Sequence, residues 1–336
     1  MPYKSLKICG ACRLNLSKMP RKIAIIGVGL VGRGWSIVFA RAGFQVALFD
    51  SDRASVARAP ALIRQSLDKL HGSIENADIV LNRIQPAETL EQALEDAEYA
   101  QESVFEDVAT KQKIFAEIDA HISSSTLIGS SSSGIPASAF TEHVKCRDRC
   151  LIAHPVNPPY LAPVVELVPA PWTSRQTVQS VRSLMENVGQ VPVEMTREIE
   201  GFLLNRLQGV LLMEAWRLVE EGYGTVEDID RTIKYGLGLR WSFMGPFETI
   251  DLNAPGGIAD YAKRLGPLYY RIAASRTEHH VWSPELIAEV ERQRRMILSA
   301  DDLTRRIVWR DERLIALAAH KREQEERASS LDADSE

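Results

Sequence analysis

Lys22–Asp50, KIAIIGVGLVGRGWSIVFARAGFQVALFD, is the stretch that decides the fold. Lys22 to Gly29 is a short apolar run ending in glycines, the pattern of a buried strand. Leu30–Ala42 follows as a helix, with Val31, Trp35, Val38 and Ala42 recurring on one face and Gly43 stopping it. Phe44–Phe49 is a second strand, closed by Asp50, so about thirty residues make one βαβ unit. The first junction reads Gly27-x-Gly29-x-x-Gly32. A first glycine permits the tight turn, a second lets backbone approach a pyrophosphate, and a third lets the helix lie close to the strand. The N–H groups of the helix start, at Leu30 and Val31, and the helix dipole favour an anion there. Asp50 stands where a carboxylate accepts from a ribose 2′-hydroxyl and repels a 2′-phosphate, so the pattern favours NAD over NADP. Asp52 is a rival for that role, and Arg33 reads as a surface residue.

The alternation continues outward. Arg53 to Glu98 is polar and helical in pattern, with candidate helices Ala54–Leu70 and Thr89–Ala97 joined through Gly72 and Pro86. Strands are expected at Tyr99–Val104, Thr126–Ile128, Val164–Val168 and Val191–Val193, and helices at Asp107–His121 and Ser174–Val188. The run Ser130-Ser131-Ser132-Ser133-Gly134 reads as a loop, followed by a helical patch near Ala137–Phe140. Strands alternating with helices predict an α/β Rossmann-type, doubly wound, mainly parallel sheet over residues 19–196.

After Thr196 strand signals almost vanish, and a smaller all-α domain is expected over 197–322. Its helices are predicted at Glu198–Glu221, from an N-cap at Thr225 to a stop at Gly236, and at Ile258–Leu265, Pro284–Leu298 and Asp302–Lys321. The tail 323–336 holds six acids against one arginine and reads as disordered. Residues 1–18 carry four bases and no acid; that composition admits a mitochondrial presequence. Met19, directly before Pro-Arg-Lys and the first strand, favours an upstream start or a disordered extension instead, and a cytoplasmic protein.

With 336 residues, 45% hydrophobic and 25% charged, the chain has the composition of a soluble two-domain protein. A net charge of -5 argues against nucleic acid or anionic membrane as its main partner, and no apolar run is long enough to span a bilayer. Cys9 and Cys12 have C-x-x-C spacing and Cys146 and Cys150 stand one helical turn apart, but the pairs are far apart and lack the supporting spacing of a shared zinc module; reduced thiols and no metal are expected.

An NAD site implies hydride transfer, which needs a base for the alcohol proton. Leu151-Ile152-Ala153 reads as a buried strand, and His154 sits at its exit, before Pro155, Pro158 and Pro159. His71, His121 and His143 fall in helical or loop stretches and read as surface residues. Glu166, within Val164-Val165-Glu166-Leu167-Val168, is the candidate to orient the imidazole, because an acid in such a run needs a partner. The alternatives are a satisfied structural histidine and a glutamate on an edge strand facing solvent.

At this point the order of segments carries a resemblance. GVGLVGRG, QESVFEDVATKQKIF, SSSSGIP, AHPVNPPY, VVELVP and GFLLNRLQ, between Gly27 and Gln208, resemble the 3-hydroxyacyl-CoA dehydrogenase family. EAWRLVEEG, GPFETIDLNA and WRDERL extend the likeness to about Lys321, within the lambda-crystallin branch, whose animal members act as L-gulonate 3-dehydrogenases. The resemblance implies that His154 is the catalytic base and Glu166 its partner, and that Ser133 and Asn205 hydrogen-bond the substrate near its 3-oxygen and carbonyl. It also places Glu102, Glu106 and Lys111 along the nicotinamide-ribose region, and implies a homodimer formed through the helical domain. Read from sequence alone, Ser133 fits a helix cap and Asn205 an interhelical contact. The acyl-CoA enzymes carry a longer helical hairpin, with lysines for the CoA phosphates, where this chain has a short segment with Arg64, Lys69 and Arg83 as scattered bases. That departure favours a free 3-hydroxy acid such as L-gulonate over the 3-hydroxyacyl-CoA of fatty acid metabolism. Arg240 then becomes a candidate partner for the free carboxylate, with a surface ion pair as its alternative. A 3-hydroxyisobutyrate or 6-phosphogluconate type enzyme would place a lysine on the long helix, and Gly201–Gln208 has none. A non-catalytic NAD-binding or structural protein is the reading from a different class.

Overall fold

The computed structural model describes residues 21–70, 76–276 and 281–333. Residues 1–18 with Cys9 and Cys12, and His71 and Gly72, lie outside the described residues. The chain divides into two compact units: the first runs to Arg206 and takes in the chain again from Trp309, and the second is Leu207–Val308.

The first unit is built on eight strands: β1 (Lys22–Ile26), β2 (Gln45–Phe49), β3 (Ile84–Pro86), β4 (Ala97–Glu102), β5 (Leu127–Ser130), β6 (Cys150–Pro155), β7 (Val164–Pro169) and β8 (Val191–Glu194). They lie in the order β3-β2-β1-β4-β5-β6-β7-β8. All pairs are parallel except β6 with β7, which run antiparallel. The strand order reverses between β1 and β4, and in such sheets a ligand crevice opens beyond the strand ends at that point. β3 was not expected from the sequence: a three-residue strand ending in Pro86 carries no periodicity to read, and it sits at the sheet edge, where proline is tolerated.

Helices α1 (Leu30–Arg41), α2 (Arg53–Asp68), α3 (Ala77–Asn82), α4 (Leu90–Leu94), α5 (Val108–His121), α6 (Ser138–Thr141) and α7 (Arg175–Asn187) cover the two faces. Because side chains alternate along a strand, Ile23 and Ile25 join one core with Trp35, Phe39, Ile63 and Met185, while Ala24 and Ile26 join another with Phe115, Ile118 and Phe140. A buried polar chain ties α1 to the sheet: Gln101 Nε2 donates to Ser131 Oγ at 2.7 Å and to the Ala153 carbonyl at 3.2 Å, and Trp35 Nε1 donates to Ser131 Oγ at 3.2 Å. Cys146 and Cys150 are buried free thiols with their sulfurs 3.7 Å apart.

The long helix α8 is Leu204–Glu220, starting later than the expected Glu198. Gly201 and Phe202 both take positive φ, 73° and 51°, and break the helical path before it. Beyond it come α9 (Val226–Thr232), α10 (Gly238–Trp241), α11 (Pro246–Leu252), α12 (Gly257–Ala274), α13 (Pro284–Ile297) and α14 (Leu303–Ala333). Thr225 caps α9 through a reciprocal pair with Asp228, but Gly236 does not stop the helical path: one wide turn, Ile233–Leu237, carries it into α10. The acidic tail expected to be disordered instead continues α14 as far as Ala333. No helix among the described residues is long and apolar enough to cross a membrane.

Within the second unit Arg276 bridges Glu214 and Glu221 at 2.9 Å each, and Trp216 stacks on Trp282 at 4.2 Å. Among the described residues of this unit, Val226 and Leu286 are the buried apolar side chains, whereas Val210, Phe247 and Tyr270 are about three-quarters exposed.

Candidate active site

The glycine turn closes the switch point, and its three glycines do different work. A side chain on Gly27 (φ 95°) would lie 2.5 Å from the Ser103 carbonyl, and one on Gly32 would lie 1.9 Å from the Gly27 oxygen. A Cβ on Gly29 would meet nothing within 4 Å. Gly27 and Gly32 are thus demanded by the packing of β1, β4 and α1, while Gly29 faces open space. Gly29 is also the N-cap of α1, with no side chain capping the helix, and Leu30 is 63% exposed. An uncapped helix N-terminus beside an open glycine fits the pyrophosphate of a dinucleotide. Asp50 holds the turn by accepting from the Val28 N–H at 2.7 Å and the Asp52 N–H at 2.9 Å. Asp52 is occupied elsewhere, as the N-cap of α2, accepting from Ala54 and Ser55 N–H groups. This leaves Asp50, at the end of β2, as the carboxylate held against the turn. Arg33 is more than a surface residue: its guanidinium donates to the Val28 carbonyl at 2.8 Å.

The β6–β7 ladder sets His154 directly opposite Glu166. His154 Nδ1 lies 2.8 Å from Glu166 Oε2, and both residues are buried. Glu166 stands on an interior strand between β6 and β8, not on an edge facing solvent. Its other oxygen accepts from the Leu203 and Leu204 N–H groups at 2.8 and 2.9 Å, at the start of α8. Burial pushes the Glu166 carboxyl up, but the hydrogen bonds from His154, Leu204 and Leu203 outweigh it and hold the group below the usual carboxylate range. Phe202, fully buried, places its ring 5.7 Å from the imidazole. His154 is thus clamped on one edge, and its Nε2 makes no hydrogen bond among the described residues.

Asn205 follows directly on α8 and donates from Nδ2 to the Ser133 carbonyl at 2.6 Å. That donor was expected to meet substrate; here it holds the serine loop. The Ser133 hydroxyl is exposed and donates a long hydrogen bond to the Glu106 carboxylate at 3.5 Å. Glu106 is the knot of this loop, accepting from Ser132 Oγ at 2.7 Å and from the Ser133 and Gly134 N–H groups at 2.8 and 3.1 Å. Lys111 lies 3.4 Å from Glu106 and 3.0 Å from both oxygens of Glu102. Burial raises the Glu106 pKa, but Ser132, Lys111 and the two N–H groups bring it below its ordinary value.

Glu102 and Lys111 were expected along the cofactor. With 0 and 1% exposure their polar atoms face each other and Ser130 instead, and the half-exposed Glu106 is the member that reaches the surface. One connected set therefore joins His154, Glu166, Asn205, Ser133, Glu106, Lys111 and Glu102. Arg240 lies on α10 in the second unit and is not part of it; its link to substrate rests on the resemblance alone. Sequence reading missed Phe202 and the two N–H groups on Glu166. The one signal for them is Gly201, a glycine placed just ahead of an otherwise good helix. No group of three or more metal-binding side chains occurs among the described residues.

A Rossmann sheet with an open glycine turn and a buried His–Glu pair at the sheet's strand ends defines an NAD-dependent dehydrogenase. The chain matches the NAD binding domain of 3-hydroxyacyl-CoA dehydrogenase over residues 22–199 and the C-terminal domain over 201–285, and it belongs to that family. It is 40% identical to lambda-crystallin of Oryctolagus cuniculus, over 90% of this chain and 96% of that one. It is 36% identical to L-carnitine dehydrogenase of Streptomyces coelicolor, over 74% of this chain and 78% of the relative. Among solved structures, an NAD+ dependent dismutase, 5-formyl-3-hydroxy-2-methylpyridine 4-carboxylic acid 5-dehydrogenase, superposes with a TM-score of 0.76 at 26% identity, covering 89% of this chain and 98% of that one.

Proposed function

We propose that this dehydrogenase oxidises the 3-hydroxyl of a free L-3-hydroxy acid to the 3-oxo acid, with His154 as general base and Glu166 as its positioning partner. The observation that carries the reading is the 2.8 Å contact between Nδ1 and the Glu166 carboxylate. A carboxylate there keeps the proton of the neutral ring on Nδ1, so Nε2 holds the lone pair that accepts the alcohol proton. The imidazolium that forms is stabilised by Glu166, whose second oxygen is already anchored by Leu203 and Leu204. The Gly27–Gly32 turn would hold NAD, which would supply the acceptor for the hydride from C3. The exposed Ser133 hydroxyl polarises the substrate oxygen, and Asn205 positions it by holding the Ser133 carbonyl.

A free acid is favoured over a CoA thioester by the segment between β2 and β4. Arg58 lies 3.6 Å from Asp52, Arg64 is paired with Asp78, and Arg83 donates to the Ala40 carbonyl at 2.9 Å, so three of its five bases are already engaged. The similarity to an L-carnitine dehydrogenase points the same way, because carnitine is itself a free 3-hydroxy acid. A panel of NAD-reduction assays with L-gulonate, L-3-hydroxybutyrate, L-carnitine and L-3-hydroxybutyryl-CoA tests the proposal. Turnover of a free acid is expected; turnover of the thioester alone overturns the substrate class.

The second unit supports a further element of the reading, a homodimer. A unit with two buried apolar side chains and many exposed ones lacks a core of its own, and a second copy of the same face would supply it. Cytoplasmic residence is proposed on composition alone.

A further inference from the structure

A cavity lies in the first unit, made by other residues than the candidate active site. It measures about 740 Å³ and is walled by the end of α1, the 159–163 loop, the turn from α7 into β8, and α14. That volume is in the range of small-molecule sites. Its floor is apolar, with Val38, Leu70, Leu161, Val188 and Ile315. Its charged lining is of one sign: Arg41, Lys321 and Arg322, with no acid among the lining residues. None of the three makes an ion pair or hydrogen bond to a described residue, and Arg41 faces Arg322 closely enough to feel its charge. On α14 Asp311 is buried and paired with Arg310 at 2.6 Å, and Glu323 follows Arg322 but is not among the lining residues; Glu186 pairs with Arg182 at 3.1 Å. Gln190, 7% exposed, also lines the cavity; its Nε2 donates to the Pro159 carbonyl, but its Oε1 is buried with no hydrogen-bond partner.

We propose that this cavity is a binding site for an amphipathic organic phosphate, a phosphate monoester on an apolar or aromatic body. Like charges with no ion-pair partner among the described residues repel each other, and a buried acceptor without a donor costs free energy. A bound anion removes the first cost, and a hydroxyl on the ligand or a water it carries removes the second. Two arginines and a lysine suit a phosphate better than a carboxylate, because the guanidinium fork meets two phosphate oxygens at once and the dianion answers more than one cation. The apolar floor requires the body, since free phosphate would leave Val38, Leu161 and Ile315 uncovered. The site is separate from the glycine turn, so cofactor and phosphate ligand bind together.

The test uses the full-length protein saturated with NAD, so that the dinucleotide site is filled. The fluorescent probe 1-naphthyl phosphate is titrated, with inorganic phosphate and 1-naphthol as competitors. Saturable binding of the probe is expected, with each competitor at least about ten-fold weaker. R41Q and R322Q should each weaken the probe by about ten-fold, as removal of one charged hydrogen bond does. The same variants should keep the wild-type melting temperature and dehydrogenase activity, because neither residue belongs to the active-site set. An absence of saturable binding, or binding unchanged in R41Q and R322Q, overturns the proposal. Inorganic phosphate binding as tightly as the probe overturns the amphipathic class. A change of oligomeric state in the variants, without probe binding in the wild type, would instead make this face a contact between copies and also overturn it.

Discussion

Replacing Glu166 by glutamine tests the proposed mechanism at its narrowest point. The carboxylate accepts three hydrogen bonds: from His154 Nδ1 at 2.8 Å, and from Leu203 and Leu204 N–H at 2.8 and 2.9 Å. A glutamine keeps the volume, and its carbonyl can go on accepting from both backbone groups. Its amide then faces Nδ1 as a donor. The ring must answer with a lone pair on Nδ1, which moves the proton to Nε2 and removes the base from the substrate side. General-base catalysis contributes about 10²–10⁴ in rate. kcat is therefore expected to fall by that factor, or roughly 3–5 kcal/mol of transition-state stabilisation. KM should stay within about two-fold, because Glu166 lies behind the imidazole and does not face substrate. Initial rates of NADH formation with the best free acid, measured alongside the NAD dissociation constant, separate loss of catalysis from loss of binding. A kcat within about three-fold of wild type at unchanged KM would refute the reasoning, since no imidazole held in the wrong tautomer would serve as base.

The same carboxylate sets an acid limit on stability. Its folded pKa lies below its ordinary value of 4.5, so its contribution is present above that value and lost as pH falls through the lower folded pKa. Acid unfolding of E166Q should show a shallower dependence there than wild type, and identical curves would contradict the clamp. Ala at Gly29 meets no atom within 4 Å on backbone that any residue adopts, so G29A should melt like wild type but bind NAD at least ten-fold more weakly by titration calorimetry. G32A, with its Cβ 1.9 Å from the Gly27 oxygen, should be destabilised outright in urea, and a wild-type midpoint would count against the close packing. F202A removes a fully buried ring beside His154 and should cost about 3–5 kcal/mol in urea unfolding, with F202L losing less. Sedimentation velocity should give a dimer, and a monomer at micromolar concentration would sink the role proposed for the second unit.

How much of this was legible in the sequence depends on whether each feature is local. The glycine turn and Asp50 could be read because a strand, a turn and a helix in succession specify them within about thirty residues. His154 and Glu166 could be singled out, each as a polar residue in an apolar run that demands a partner. That they face each other, and that β7 runs antiparallel, is a matter of pairing between strands, which no single segment encodes. The burial of Lys111 against Glu102 was hidden for the same reason: a lysine on a helix reads as solvated until a carboxylate on another strand is brought beneath it. The break at Gly201 and Phe202 was overlooked because the apolar spacing runs through it unchanged, and only the backbone angles show that the helix starts afterwards. β3 was too short for any periodicity, and the fate of the acidic tail turned on helix continuity from α14 rather than on charge.

The antiparallel ladder between β6 and β7 also bears on how the pair can drift or be inherited. Side chains in a strand repeat every two residues, so a slip of one would set Val165 or Leu167 against His154 and turn Glu166 to the other face of the sheet. The pair is thus held to an all-or-none standard by the register, with no partly misaligned intermediate. The loop between the strands answers to no such rule. Residues can be gained or lost between Val156 and Pro163 without disturbing the ladder, so the spacing of twelve is a property of the loop and not of the chemistry. A distant relative is better recognised by an acid set into the apolar return strand than by any fixed interval after the histidine.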